Sequence, residues 1–220
     1  MTHELREFAD SDALATATAT YVAEFARDTI ARSGTFNFAV SGGHTPWGMF
    51  RELTTMDVAW ENVVIYQVDE RVAPDGDDQR NLTHLLASLA GVHPLIKPMP
   101  VTDADLESAA RRYAEELPEH LDLVHMGLGP DGHTASLVPN DPVLDITDAM
   151  VAATDPYLGL RRMTLTYPAL TKASQLLWLI SGEDVQHALS LLLRDDPSIT
   201  AGRVDSTHSL VMADRSALGS

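Results

Sequence analysis

The sequence predicts an α/β fold: one doubly wound, mostly parallel sheet with helices on both faces, Rossmann-like in its layering. Two observations predict it. Short apolar runs of strand type recur along the chain, at residues 35–40 (TFNFAV), 63–68 (VVIYQV), 121–126 (LDLVHM), 175–180 (QLLWLI) and 209–213 (SLVMA). Between them lie stretches whose apolar residues follow helical spacing, and strands that alternate with helices at such intervals pair in parallel. No repeat, low-complexity segment or linker divides the chain, so residues 1–220 read as a single domain able to bury a substantial core.

In order, residues 11–32 carry Leu14, Ala17, Tyr21, Val22, Phe25, Ala26 and Ile30 at helical spacing, with Ser11 as a fair N-cap and Gly34 as a stop. The strand at 35–40 runs straight into Ser41-Gly42-Gly43-His44-Thr45-Pro46, and residues 47–53 are helical. Thr45 suits the N-cap and Pro46 the first helical position. A strand, a glycine loop and a helix together present free backbone N–H groups to a phosphate. A tight βα turn looks the same, and the spacing matches neither the P-loop nor the dinucleotide fingerprint. The strand at 63–68 ends in Asp69-Glu70-Arg71, three charges that form either a solvated exit or part of the same crevice. A loop at 73–80 leads to Asn81 and a helix reaching Leu89, and residues 103–117 form an amphipathic helix stopped by Pro118.

Residues 121–139, LDLVHMGLGPDGHTASLVP, are the stretch around which the rest is organised. The strand stops at Gly127-Leu128-Gly129-Pro130, and Asp131, Gly132 and His133 follow just past its end. Ligands of open α/β sheets bind beyond the carboxyl ends of the strands, and a histidine two residues from an aspartate is a base with an orienting partner. The alternative is a solvated turn whose histidine does nothing. Residues 134–137 read as a turn or the start of a short helix. Beyond them come a short strand at 150–153, an extended segment at 161–166, a small helix near 168–173, and a helix over 185–194 between the last two strands.

Composition narrows the function. With 45% hydrophobic and 21% charged residues the chain is of soluble globular type, and no apolar run nears the ~18 residues of a membrane helix. The start, MTHELREFAD, lacks the basic and apolar regions of a secretory signal, so a cytoplasmic location is expected. The absence of cysteine excludes disulfides, thiolate metal sites and cysteine nucleophiles. A net charge of −17 speaks against nucleic acid. Lys97 and Lys172 are the two lysines, so an anionic substrate must be caught by local arginines and backbone N–H groups.

Several of these segments resemble the 6-phosphogluconolactonase family: SGGHTP (41–46), Trp60 ahead of DERVAP (69–74), Asn81, GLGPDGHTASLVP (127–139), RMTLTYPAL (162–170) and Ser181-Gly182-Glu183. They occur in family order over about residues 35 to 190. The resemblance implies hydrolysis of 6-phosphoglucono-lactone to 6-phosphogluconate in the pentose phosphate pathway, without metal or cofactor, by a monomer or small homo-oligomer. A lactone carbonyl is already electrophilic, so a base for water and a donor for the oxyanion suffice. His133 is then the general base and Asp131 its orienting partner. The phosphate would lie on the N–H groups of Ser41, Gly42, Gly43, His44 and Thr45, with Arg71 as a fork of donors and Arg162 as a second cation. Asp69 and Glu70 complete the substrate-binding set with Asn81, as residues that position Arg71 and the loop.

Two positions depart from the family. A lysine usual after the last glycine turn corresponds to Val185, and another, usual before the RxT segment, falls in Tyr157-Leu158-Gly159-Leu160. A sugar-phosphate isomerase or deaminase of the glucosamine-6-phosphate deaminase type shares the glycine loop and the Gly-x-Asp-Gly-His turn. It continues that turn with Ile-Ala-Phe, where this chain has Thr134-Ala135-Ser136. A non-catalytic sugar-phosphate-binding domain normally accompanies a DNA-binding helix-turn-helix, for which the residues ahead of the first helix are expected to leave no room.

Overall fold

The computed structural model describes residues 3–205 and 207–219. An edge strand β1 (Glu4–Phe8) leads into α1 (Ser11–Ser33), which is capped by the Asp10 carboxylate on the Ala13 N–H and stopped by Gly34 in a left-handed conformation. Asp10, not Ser11, is the N-cap, because Ser11 already has helical geometry. The chain continues through β2 (Phe36–Val40), α2 (His44–Leu53), β3 (Val63–Gln67), β4 (Asp69–Arg71), α3 (Asn81–Ser88) and β5 (Leu95–Lys97). Then follow α4 (Leu106–Glu116), β6 (Leu123–Met126), β7 (Val151–Ala153), β8 (Arg162–Leu165), α5 (Tyr167–Leu170), β9 (Leu176–Ile180), α6 (Gln186–Leu192), β10 (Ser209–Asp214) and α7 (Arg215–Leu218).

Seven strands pair in parallel in the order β1-β10-β9-β6-β2-β3-β5. Side chains alternate across each strand, so successive residues feed opposite layers. Phe36, Phe38, Ile65, Leu123, Leu177 and Leu179 pack on one face with Leu14, Val22, Phe50 and Leu85 from α1 to α3. Val124, Met126, Trp178, Ile180 and Val211 pack on the other with Leu106 and Tyr113 from α4 and with Leu189 and Leu192 from α6. The doubly wound, mostly parallel sheet expected from the sequence is present.

The strands do not all join it. β4, β8 and β7 form a second, antiparallel sheet of three strands. Val68 is the junction: its N–H donates to Val40 of the large sheet, and its carbonyl accepts from Leu165 of the small one. The chain thus leaves the large sheet at Val68 and carries Asp69-Glu70-Arg71 into a different layer. β1 and β5 were not expected from the sequence, since one is an exposed, charged edge and the other has three residues.

After β2 the chain proceeds to β3 on one side, whereas β6 lies on the other side of β2 and leads on to β9 and β10. The strand order therefore reverses between β2 and β6, and the loops leaving these two strands open a crevice at their carboxyl ends.

His125, on β6, is fully buried beneath that crevice, with Nδ1 3.3 Å from the Ser41 backbone N–H. Burial pulls its pKa down to about 4. The unfolded chain, at ~6.5, therefore binds the extra proton first. Stability is retained above about pH 6.5 and lost as pH falls toward 4, by on the order of 2–3 kcal/mol from this one group. Replacing His125 with Gln should flatten the dependence of the denaturation midpoint on pH between 6.5 and 4.5. An equal slope in wild type and variant would assign the acid loss to other groups.

Candidate active site

The β2 loop forms the first wall. Ser41 donates its N–H to the His125 carbonyl at 3.2 Å, and its buried hydroxyl has no partner among the described residues. A Cβ on Gly42 would stand 1.8 Å from Asn81 Oδ1, so only glycine lets the loop pass this close to α3. Gly43, with φ of 117°, is the N-cap of α2, and no side chain among the described residues caps that helix. Thr45, expected as the cap, lies inside the first turn because the helix already begins at His44. The side chain of His44 is outside the described residues. With no capping side chain in place, the first-turn N–H groups and the positive end of the helix dipole are available to an anion.

The second wall is the small sheet. Alternation along β4 sends Asp69 and Arg71 to one side and Glu70 to the other. Asp69 lines the crevice, accepting from the Ser136 hydroxyl at 2.7 Å and the Asn81 amide at 3.3 Å. Arg71 donates to Asn81 Oδ1 at 2.6 Å and stands directly opposite Arg162 in the β4–β8 ladder. Glu70 does not line the crevice. It is fully buried and accepts from the N–H groups of Arg71, Asn81 and Leu82 and from the Gln67 amide, while the Arg80 guanidinium lies 3.1 Å away. Glu70, grouped with the substrate-binding residues as one that positions Arg71 and the loop, holds Arg71 and Asn81 from behind and makes no wall of the crevice.

Arg162 is nearly buried, and its Nε has no partner among the described residues. Burial lowers its pKa, the Asp69 charge opposes that shift, and the Arg71 charge adds to it. Its guanidinium carbon lies 4.9 Å from the centre of the Tyr157 ring. Two cations directly across a ladder repel each other, and an anion bound between them relieves the repulsion.

The β6 loop is the third wall. Gly129 donates to the His133 carbonyl at 2.8 Å, and Gly132 donates back to Gly129 at 2.9 Å, closing a tight loop. A Cβ on Gly129 would lie 2.2 Å from the His133 ring, so a side chain there would displace the imidazole. Asp131 Oδ1 accepts the His133 N–H at 3.1 Å and lies 2.5 Å from Nδ1 of its ring. Partial burial raises the Asp131 pKa, but the hydrogen bonds from His133 and the Tyr157 hydroxyl outweigh it, and the carboxyl ends below its ordinary value. An ionised Asp131 fixes the hydrogen on Nδ1 and leaves the Nε2 lone pair free. Residues 134–137 make a turn rather than a helix, with Thr134 bridged to Leu137.

Together the walls enclose a cleft of about 370 Å³ that brings Ser41, Gly42, Gly43, Thr45, Asp69, Arg71, Asn81, His133 and Arg162 to one place. Val185 and Asp184 also line it. The sequence named Ser136 and Tyr157 only within segments compared with related families, and it gave no role to either of them or to Asp184. Their signal was positional: Ser136 lies in the same loop as His133, and Tyr157 lies just ahead of Arg162. Among the described residues no group of three or more His, Asp or Glu side chains is arranged to hold a metal ion.

The family model describing glucosamine-6-phosphate isomerases/6-phosphogluconolactonases matches residues 9–212. A 6-phosphogluconolactonase of Synechocystis sp. is 35% identical over 174 residues, covering 73% of this chain and 72% of the relative. One of Mycobacterium tuberculosis is 30% identical over 241 residues, covering 99% of this chain and 98% of the relative. A solved 6-phosphogluconolactonase from Shewanella baltica superposes with a TM-score of 0.88 at 25% identity, over 96% of this chain and 97% of that one. The motifs in the cleft and these likenesses agree: the chain belongs to the glucosamine-6-phosphate isomerase/6-phosphogluconolactonase family.

Proposed function

We propose that this chain hydrolyses 6-phosphoglucono-lactone to 6-phosphogluconate, with His133 as the base that activates water. The observation that carries the reading is the Asp131–His133 contact of 2.5 Å, set in a cleft that also holds two facing arginines and an uncapped helix start. Nε2 takes a proton from water as the water oxygen attacks the lactone carbonyl. The tetrahedral adduct then expels the ring oxygen, which receives that proton from the imidazolium, so the base is regenerated. Asp131 holds the ring in the tautomer this requires and stabilises the imidazolium.

Arg71 and Arg162 hold the phosphate with the N–H groups of the β2 loop. Asp69 and Asn81 orient Arg71, and Glu70 fixes both from outside the cleft. Residues 1–220 act as one domain in this reading, since β1 and β10, from opposite ends of the chain, are neighbours in the large sheet. A cytoplasmic monomer or small homo-oligomer suits a chain without cysteine, in which no helix among the described residues is long and apolar enough to cross a membrane.

Replacing His133 with Asn should lower kcat by about 10²–10⁴ while product affinity changes little, and the acid limb of the wild-type pH profile should vanish. Lactone opening is followed against the spontaneous background, with glucosamine 6-phosphate as a parallel substrate. A variant with full kcat removes His133 from the chemistry, and turnover of the amino sugar in place of the lactone favours the deaminase reading.

Replacing Arg71 with Ala should cost about 2–4 kcal/mol in kcat/KM, the scale of removing one side of a charge pair. Because Val185 also lines the cleft, adding Val185→Lys should recover part of the loss. Wild-type kinetics in Arg71→Ala would shift the phosphate contact to Arg162.

A further inference from the structure

We propose that Tyr157 is a positioning residue for this reaction, a side chain that ties the acid–base pair to the buried arginine. The inference rests on the hydrolase reading above. Three contacts converge on the tyrosine. Its hydroxyl donates to Asp131 Oδ2 at 3.2 Å, the carboxylate oxygen that His133 does not use. Its ring and the His133 imidazole meet in a T-shaped arrangement, with centroids 5.7 Å apart and planes at 61°. Its face carries the Arg162 guanidinium at 4.9 Å.

The backbone holds the ring there. Tyr157 and Leu160 exchange hydrogen bonds of 2.9 and 3.3 Å around Leu158 and Gly159, both left-handed, so the tyrosine closes a two-residue hairpin turn. That hairpin joins β7 to β8, and β8 begins with Arg162. The position of the phenol is therefore set by the same element as the cation it covers.

The chemistry follows from what each contact controls. A hydroxyl on Oδ2 spreads the Asp131 charge and restrains rotation of the carboxylate, which tempers its pull on the imidazolium. Burial and the nearby Asp131 charge push the phenol pKa up, so it stays a donor throughout the working range. The ring beneath Arg162 keeps the guanidinium aimed at the cleft although its Nε has no hydrogen-bond partner among the described residues. Besides Arg162 and the Asp131–His133 pair, the charged groups facing this cleft among the described residues are Asp69 and Arg71 from β4 and Asp184 from the turn after β9, and none of them is altered in the test.

Tyr157→Phe keeps the ring and removes the hydroxyl, whereas Tyr157→Leu removes both. In Tyr157→Phe the acid limb of kcat should move up by about half a pH unit, because the freed carboxylate holds the imidazolium more strongly, with KM unchanged. In Tyr157→Leu the limb should move likewise, and KM for the phosphorylated lactone should also rise about fivefold as Arg162 loses its support. A limb that stays in place in Tyr157→Phe, or a KM in folded Tyr157→Leu equal to that of wild type, overturns the assignment while leaving the hydrolase intact. Should the leucine variant fail to fold, the near-isosteric phenylalanine variant decides on the pH profile alone. A wild-type protein that never accelerates lactone opening overturns both readings together.

Discussion

Glu70 has no exposed surface, yet it accepts from three backbone N–H groups and the Gln67 amide and pairs with a nearly buried Arg80. A carboxylate so placed cannot lose its partners cheaply, because an uncompensated charge would remain in the interior. Two of the N–H groups belong to the first turn of α3, so Glu70 serves as the anion at that helix start. Through them it fixes Asn81, and Asn81 in turn spans Arg71 and Asp69 and leaves no room for a side chain at position 42. The glycine loop, the strand with its arginine and the start of α3 therefore keep their mutual geometry through one buried ion.

That frame explains how so acidic a protein presents a site for an anion. With a net charge of −17 the long-range field is unfavourable, and attraction has to be generated locally. In the proposed site, facing arginines across one ladder, the guanidinium of Arg162 among them desolvated, and a helix start without a side-chain cap among the described residues would supply it. Each of these is costly without a ligand. A strand pair with like charges opposite one another is disfavoured, and a buried guanidinium donor without a partner is too. The residues around them are fixed by packing and buried hydrogen bonds, so the cost is borne by the fold, not relieved by rearrangement.

Much of this was legible in the sequence. The five long strands and the main helices followed from hydrophobic period, and the glycine loops at two strand ends marked the crevice before any distance was known. What was not legible depended on direction. DER reads as three charges in a row, yet only its alternation on β4 separates Asp69 and Arg71 from Glu70. The small sheet could not be foreseen because Val68 reads as the end of a continuous strand, and its two hydrogen bonds point to different sheets. Tyr157 was named only within the segment where relatives carry a lysine, because the contacts that support its proposed role come from a hairpin turn with Leu158 in a left-handed conformation, one that leucine rarely adopts and that no apolar pattern announces.

The small sheet also makes the two chemical halves of the cleft interdependent. The proposed base, His133, sits on the loop after β6, while the arginines sit on β4 and β8, and parallel pairing alone would leave those parts free to drift. Ser136 closes the gap: its hydroxyl donates to Asp69 at 2.7 Å and its N–H to the Thr164 hydroxyl on β8 at 3.2 Å. Ser136 can make both bonds because Ala135 turns the chain through a positive φ of 52°, a strained conformation for alanine that the two buried bonds hold in place. From the other side the β7–β8 hairpin brings Tyr157 back onto Asp131. The loop carrying His133 is thus gripped at residue 131 and residue 136 by the same sheet that aligns the arginines. A displacement of that sheet would move His133 and the arginines together, so in the proposed reaction the spacing between the reacting carbonyl and the phosphate of a bound sugar would be kept by one unit.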